Sequence, residues 1–238
     1  MTYNIHMHLK IVGLPIGNVE DISLRGLKTL KETRFIVCED SRMFNNLWSK
    51  FKQMGLVENF TGRIKFVNDF NEYKVLPHLL EEMDLLEEAV LVSDAGMPLI
   101  SDPGYKLVSE GLKRGWEVTT IPGPTAESAA LAISGLPTDK YMFLGFLPKT
   151  GGKRETLLKK VAAEIDNLKY SVVIYESPVR TEKILGEIKK IFGEDIRVCL
   201  AVDLTKVSQK IVRGSIGEVL EKVKTLKQKG EVTIVLSN

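Results

Sequence analysis

Within "LVSDAGMPLISDPGYKLV", Leu91–Val108, the tetrapeptide Ser93-Asp94-Ala95-Gly96 recurs eight residues later as Ser101-Asp102-Pro103-Gly104. Two such turns could hold paired carboxylates, a metal or a cofactor, or be two ordinary turns. The rest of the chain narrows this. Its three histidines, His6, His8 and His78, sit in no H-E-x-x-H pattern and beside no carboxylate pair, so no metal site is expected. No G-x-S-x-G elbow accompanies them, which argues against a Ser-His-Asp triad. "GLPIGN", Gly13–Asn18, stands where a ligand-facing turn would, but lacks G-x-G-x-x-G, and Pro15 removes a backbone donor. "TGGKRE" lacks the P-loop spacing, so nucleoside triphosphate hydrolysis is not expected.

What remains is a shared texture. "SDAGMPLISDPG", "IPGPTAE", "GFLPK" and "YESPVR" each follow an apolar strand with Gly, Pro, Ser or Asp. Glycine lets backbone approach a ligand and proline stiffens the loop, and loops at strand carboxyl ends are where α/β folds bind ligands. The repeat therefore reads as part of a ligand-facing cluster of loops. Asp102 is then expected to cap the next helix.

The elements that must position these loops alternate. "HLKIVGL", "RFIVCED", "KFVNDF", "AVLVSD" and "EVTTIPG" read as strands. "EDISLRGLKTLKET", "SRMFNNLWSKFKQMG", "EYKVLPHLLEEMDLLEE" and "YKLVSEGLKRG" read as helices between them, with Pro77 in a first turn or at a kink. This rhythm implies a largely parallel sheet covered on both faces. It changes after "PGPTAESAALAISGLPTDKY". There follow the strand "YMFLGFLP", a loop and helix in "TGGKRETLLKKVAAEI", the strand "YSVVIYES" and the helix "TEKILGEIKKIFG". The strands "IRVCLAVDLTK" and "QKIVRGS", the helix "IGEVLEKVKTLK" and a last strand "GEVTIVLSN" complete the series. The fold class is α/β: two αβα lobes, residues 1–122 and 123–238, with a soft boundary at 122–128 and a cleft between them as the default ligand site.

Bulk properties agree with a soluble globular chain of 238 residues, 44% hydrophobic and 27% charged. No apolar run is long enough to span a bilayer and no signal peptide is evident. Cys38 and Cys199 lie in apolar runs and read as reduced core thiols of a cytoplasmic protein. Charge is uneven: residues 1–148 carry 15 Lys/Arg against 19 Asp/Glu, and residues 149–238 carry 18 against 12. A basic second half would suit a polyanion, although solvated helix faces give the same count.

In order, "VGLPIGNVEDISLRGLKTLKE", "VCEDSR", "VSDAGMPLISDPGYKLV", "IPGPTAESAALAISGLP", "GFLPK", "YESPVR" and "DLTK" carry a family resemblance over residues 9–236. The chain resembles the 16S ribosomal RNA cytidine 2′-O-methyltransferases, within the tetrapyrrole (corrin/porphyrin) methylase superfamily. The resemblance implies S-adenosyl-L-methionine as methyl donor, a cofactor cleft between the lobes and a homodimer. It implies 16S rRNA in the small ribosomal subunit as partner, and the 2′-hydroxyl of a cytidine ribose as acceptor.

The same resemblance implies site residues. For the cofactor these are Pro15, Asp94, Ala95, Gly96, Met97, Ile100, Ser101, Thr125, Ala126, Leu144, Phe146, Tyr175, Glu176, Val232 and Thr233. Asp40 and Glu39 are candidate bases, Lys206 and Arg42 candidate stabilisers of an oxyanion or phosphate, and Arg180 a candidate contact to RNA backbone; no single base is assigned. Several positions depart from the family pattern: Met97 replaces Thr, Leu99 a common Gly, Met43 and Val179 a His, and Asp203 a Glu. Near "DFNEYK" the acidic, His-rich stretch is reduced to Asn71 and Glu72. The family's usual C-terminal helical extension is expected to be absent, since the sequence ends on a strand. Two other readings stay open: a methylase acting on a tetrapyrrole, and a cofactor-binding, ribosome-associated protein without turnover.

Overall fold

A computed structural model describes residues 7–68, 70–168, 170–225 and 229–238, with backbone alone at 166–168. His6, Asp69 and the end of "IGEVLEKVKTLK" lie outside the described residues. The chain divides into two compact units, Met1–Thr125 and Ala126–Asn238.

The first unit has one sheet of β1 (His8–Val12), β2 (Phe35–Cys38), β3 (Arg63–Phe66), β4 (Glu88–Leu91) and β5 (Glu117–Ile121), in the order β3-β2-β4-β1-β5. Every pairing is parallel. Helices α1 (Leu24–Glu32) and α2 (Ser41–Gln53) cover one face; α3 (Glu72–Met83) and α4 (Tyr105–Lys113) cover the other. The inner strands β2 and β4 are mostly apolar and buried on both faces, whereas the edge strands β3 and β5 carry polar, exposed residues. Ile36 and Cys38 pack with Leu30, Phe44 and Trp48, while their neighbours Phe35 and Val37 pack with Leu76, Leu79 and Leu107. The first expected helix is divided: Val19–Asp21 form a 3₁₀ turn, and α1 starts afresh with Ser23 as its cap, Oγ accepting from Gly26 N at 3.0 Å. Pro77 lies in the body of α3 rather than its first turn. Burial of Leu76, Leu79, Leu80 and Met83 outweighs the hydrogen bond it removes.

The helices after β1 and β4 lie on opposite faces, although the two strands are neighbours. The chain therefore continues to opposite faces from two neighbouring strands, which makes their carboxyl ends a topological switch point.

The second unit has β6 (Tyr141–Phe146), β7 (Ser171–Glu176), β8 (Arg197–Val202), β9 (Lys210–Ser215) and β10 (Val232–Ser237), in the order β6-β7-β10-β8-β9. Only β6 and β7 pair in parallel. The pairings β7–β10, β10–β8 and β8–β9 are antiparallel, so this sheet is mixed. Helix α5 (Ala126–Ser134) packs on one face. Helices α6 (Gly151–Leu168), α7 (Pro178–Phe192) and α8 (Ile216–Val223) close the other over Val172, Ile174, Leu200 and Ile234. A capping box opens α8: Glu218 Oε2 accepts from Ser215 N at 2.8 Å, and Ser215 Oγ accepts from Glu218 N at 3.5 Å. The Gly-Gly pair expected in a loop belongs to the first turn of α6, which begins at Gly151. Among the described residues both cysteines are free and buried, and no helix is long and apolar enough to cross a membrane.

Candidate active site

At the switch point the loops after β1 and β4 are tied by backbone. Leu14 N donates to Gly96 O at 2.8 Å and Gly96 N donates to Leu14 O at 3.1 Å, an isolated antiparallel bridge. Gly96 holds φ of +73°, and a Cβ there would sit 3.3 Å from Ile16 Cγ2. Gly13 and Gly123 meet backbone to backbone: a Cβ on Gly13 would lie 2.7 Å from Gly123 Cα. Met97 fills the space beside them, its Sδ accepting from Gly123 N at 3.3 Å. The residue standing where the resembled family has Thr thus braces the ends of β1 and β5. Buried Ser93 donates its hydroxyl to Ala95 O at 3.0 Å, setting the turn.

Beyond Met97 the backbone is strained, with Leu99 at φ +75° and Ser101 at φ +68°. Non-glycine residues adopt this region at a cost and concentrate at functional loops. Asp102 does not occupy the cap position assigned to it. Gly104, at φ +110°, is the N-cap of α4, because the chain must turn left-handed there to enter the helix. The Ser-Asp-x-Gly repeat therefore has unlike halves: the first is bridged to Leu14, the second delivers α4.

Two carboxylates meet beside this loop. Asp94 Oδ1 accepts from Asp40 N at 3.2 Å. Burial raises the Asp94 pKa, and the Asp40 carboxylate raises it further. Asp40 caps α2, accepting from Arg42 N at 2.8 Å, and binds the Arg42 guanidinium through Nε and Nη2 at 3.0 and 2.6 Å. The Arg42 side chain holds the Asp40 pKa down, to about 2. Glu39 directly precedes this cap at the end of β2. Pro15 lies in the bridged β1 loop, Ile100 and Ser101 in the strained segment, and Thr125 closes the first unit. The Cys38 thiol, buried below, is pushed up to about 12 and stays protonated.

The second unit gathers its own group. Tyr175 and Glu176 end β7, and Phe146 is beside Tyr175 in register. Thr233 and Val232 pair with Tyr175 and Glu176 from β10. Val232 is buried in the core of this unit. The Tyr175 ring packs edge-on to Phe143 and Phe146, with centroids 4.8 and 5.8 Å away. Its hydroxyl donates to Glu127 Oε2 and accepts from Glu127 N at 3.1 Å, fixing the start of α5 next to Ala126. Leu144 lies half-buried beside the bulge between Phe143 and Phe146.

Arg180 is turned inward. Its Nη2 donates to Leu147 O at 3.1 Å and pairs with buried Glu176 Oε2 at 3.1 Å, without hydrogen-bond alignment to the latter. Glu176 Oε1 accepts from Ser177 N at 2.7 Å. Lys206 pairs with Glu231 at 2.7 Å and Asp203 at 3.7 Å. Burial pushes the Asp203 pKa up, but the Ser208 hydroxyl, the Glu231 amide and Lys206 together outweigh it and lower it. Asp203 and Thr205 hold φ of +51° and +64° in this turn.

Sequence reasoning missed Arg154, Glu187 and Glu127. Arg154 is buried, pairs with Glu187 through Nε and Nη2 at 2.5 and 2.7 Å, and donates from Nη1 to Pro148 O and Lys149 O at 2.8 and 3.0 Å. With Arg180 it holds three successive carbonyls of "GFLPK". Arg154 stands among Lys153 and Glu155 in a charged run, where nothing local marks it as buried.

A family profile for the tetrapyrrole (corrin/porphyrin) methylases matches residues 8–220. The ribosomal RNA small subunit methyltransferase I of Thermotoga maritima is 41% identical over 229 residues, 96% of this chain and 97% of that protein. The chain belongs to the tetrapyrrole methylase family. The fold of this methylase recurs in solved structures. One is a cobalt precorrin-4 methyltransferase of cobalamin biosynthesis, with a TM-score of 0.71 and 18% identity over 100% of this chain and 97% of that one. Another is the uroporphyrin-III C-methyltransferase of Thermus thermophilus complexed with S-adenosylhomocysteine, with a TM-score of 0.64 and 18% identity over 98% of this chain and 97% of that one.

Proposed function

We propose that this methylase transfers a methyl group from S-adenosyl-L-methionine to a cytidine ribose 2′-hydroxyl of small-subunit 16S ribosomal RNA, acting as a cytoplasmic homodimer. The observation that carries the reading is the 41% identity, over nearly all of both chains, to a ribosomal RNA small subunit methyltransferase I. The switch-point loop supports the cofactor. Gly13, Gly123 and Gly96 keep the strand ends low, with the Met97 thioether packed beside them, and backbone at Asp94, Ala95 and Met97–Ser101 borders this floor. Gly96 uses both backbone groups on Leu14, so it shapes the cradle rather than gripping the ligand.

When bound, the cofactor supplies an electrophilic sulfonium methyl. The chain's own task is then to orient the acceptor and exclude water, which can supply roughly 7–11 kcal/mol when near-attack geometry is held. In the first unit, Pro15, Asp94, Ala95, Gly96, Met97, Ile100, Ser101 and Thr125 are assigned to the cofactor. In the second, Ala126, Leu144, Phe146, Tyr175, Glu176, Val232 and Thr233 are. For the acceptor proton, Glu39 and Asp94 suit a base better than Asp40, whose depressed pKa and bidentate Arg42 make it a weak proton acceptor. Lys206 carries an ammonium suited to a phosphate or developing oxyanion. Arg180, engaged with Leu147 O, acts by positioning its loop.

Purified small ribosomal subunits incubated with the protein and methyl-labelled cofactor test the reading. The label is expected in 16S rRNA at a single nucleotide whose 3′ linkage resists alkali. Label on a base, or on a tetrapyrrole acceptor instead, overturns it. Adenosylhomocysteine is expected to raise the melting temperature of the wild type. Gly96→Val is expected to abolish that shift while the chain stays folded; a normal shift would remove the loop from the cofactor site.

A further inference from the structure

The carboxyl end of the first unit's sheet carries more than the loops assigned to the cofactor. Among the described residues, every exposed aromatic ring of this unit lies there: Phe66 ending β3, Phe70 in the next loop, Tyr73 in the first turn of α3, and Tyr105 opening α4. Phe70, Tyr73 and Tyr105 are 97%, 88% and 74% exposed. The opposite end of the sheet exposes Met54, Leu85 and Leu112 but no ring.

The backbone that carries these rings is held in place. Asn71 Nδ2 donates to Phe66 O at 3.2 Å, Asn68 Oδ1 accepts from Phe70 N at 3.1 Å, and Asn71 Oδ1 accepts from Asn68 N at 2.9 Å. Lys106 Nζ pairs with buried Glu72 Oε2 at 2.9 Å, tying the first turns of α3 and α4. Each partner of that ion pair adjoins a tyrosine in sequence. "EYKVLP" and "GYKLVS" thus present the same Tyr-Lys step from neighbouring helix starts: Tyr73-Lys74 and Tyr105-Lys106.

Rings standing in water beside cations match single-stranded nucleic acid, whose bases stack on aromatic faces while lysines meet the phosphates. Of the carboxylates at this end, Glu72 is paired with Lys106 and Asp40 with Arg42. We propose that Phe70, Tyr73 and Tyr105, with Lys74 beside them, form a stacking face for unpaired bases of the RNA substrate; this rests on the ribosomal RNA reading above. A second copy of this chain is the competing occupant. It is disfavoured because the rings alternate with lysines instead of forming a continuous apolar patch.

The test measures binding of a fluorescein-labelled, unstructured oligoribonucleotide and the KM for small ribosomal subunits. The double variant Tyr73→Ala/Tyr105→Ala should weaken oligonucleotide binding by at least about tenfold, and Tyr73→Phe/Tyr105→Phe should restore it to within about twofold. Lys74→Gln should make the fall of affinity with salt shallower. Adenosylhomocysteine should still raise the melting temperature of each variant, showing an intact fold. Unchanged binding and KM in the alanine pair overturn this face while leaving the methyltransferase reading intact. Conversion of a dimer to a monomer by the alanine pair, read by light scattering, also overturns it, since the face would then join subunits. If the wild type transfers no methyl to ribosomal RNA, both readings fall together.

Discussion

The two units fix their functional loops by different means. In the first, neighbouring parallel strands send their loops out side by side, and the loops are tied to one another. Leu14 and Gly96 exchange backbone hydrogen bonds, Gly13 lies against Gly123, and the Met97 thioether closes the gap. In the second, β6 is an edge strand with a bulge, so the loop after it has a neighbouring strand on one side only. That loop is held by long side chains: Arg154 from α6 and Arg180 from α7 take the carbonyls of Leu147, Pro148 and Lys149. Topology thus decides whether a loop is fixed by close backbone approach or by buried charge.

Removing the charge should have the largest effect. Arg154→Met leaves the Glu187 carboxylate and two carbonyls without their donor and should cost about 3 kcal/mol, read as a lower urea midpoint by circular dichroism. The pH dependence carries a sign. The Arg154 hydrogen bonds lower the Glu187 pKa, so this stability is complete above the usual carboxylate range and is lost as pH falls through the lowered value. Arg154→Met should flatten that acid limb. An unchanged limb would show that the pair does not hold the loop through charge.

The backbone contact comes next. Gly123→Ala would bring its Cβ to 2.7 Å from Gly13 C, where neither strand end can yield cheaply. A loss of about 2 kcal/mol is expected. Trp48 and Trp116 both lie in the first unit, so tryptophan fluorescence reports it. A neutral outcome would mean that the strand ends are not fixed by glycine contact. Ser101→Gly should have the smallest effect. Relief of the left-handed strain, less the entropy glycine adds to the unfolded chain, should stabilise by about 0.5 kcal/mol. Destabilisation would show that the Ser101 side chain has a structural partner that outweighs the strain.

Much was legible in the chain itself. Strand-like runs alternate with segments of helical spacing in the first unit, so the parallel, doubly covered sheet followed from that rhythm. Loops rich in Gly and Pro after successive strands marked the strand carboxyl ends. The second unit gave strands and helices but not their directions: apolar periodicity is the same for parallel and antiparallel pairing, and its sheet is mixed. Local rules also failed at Asp102 and Pro77. Gly104 had to supply a left-handed entry to α4, and burial along α3 overrode the missing donor at Pro77.

The sequence by itself determined the two-part α/β construction and the family, because these follow from near-neighbour patterns of apolar, glycine and proline residues. The tertiary structure decided which charges serve those loops. Asp40 is committed to Arg42, Arg180 points inward to Leu147, and Arg154 disappears into the core of a unit whose surface it resembles in sequence. A charged side chain reveals its role only through the partner that compensates its burial, and Glu187 stands 33 residues away along the chain.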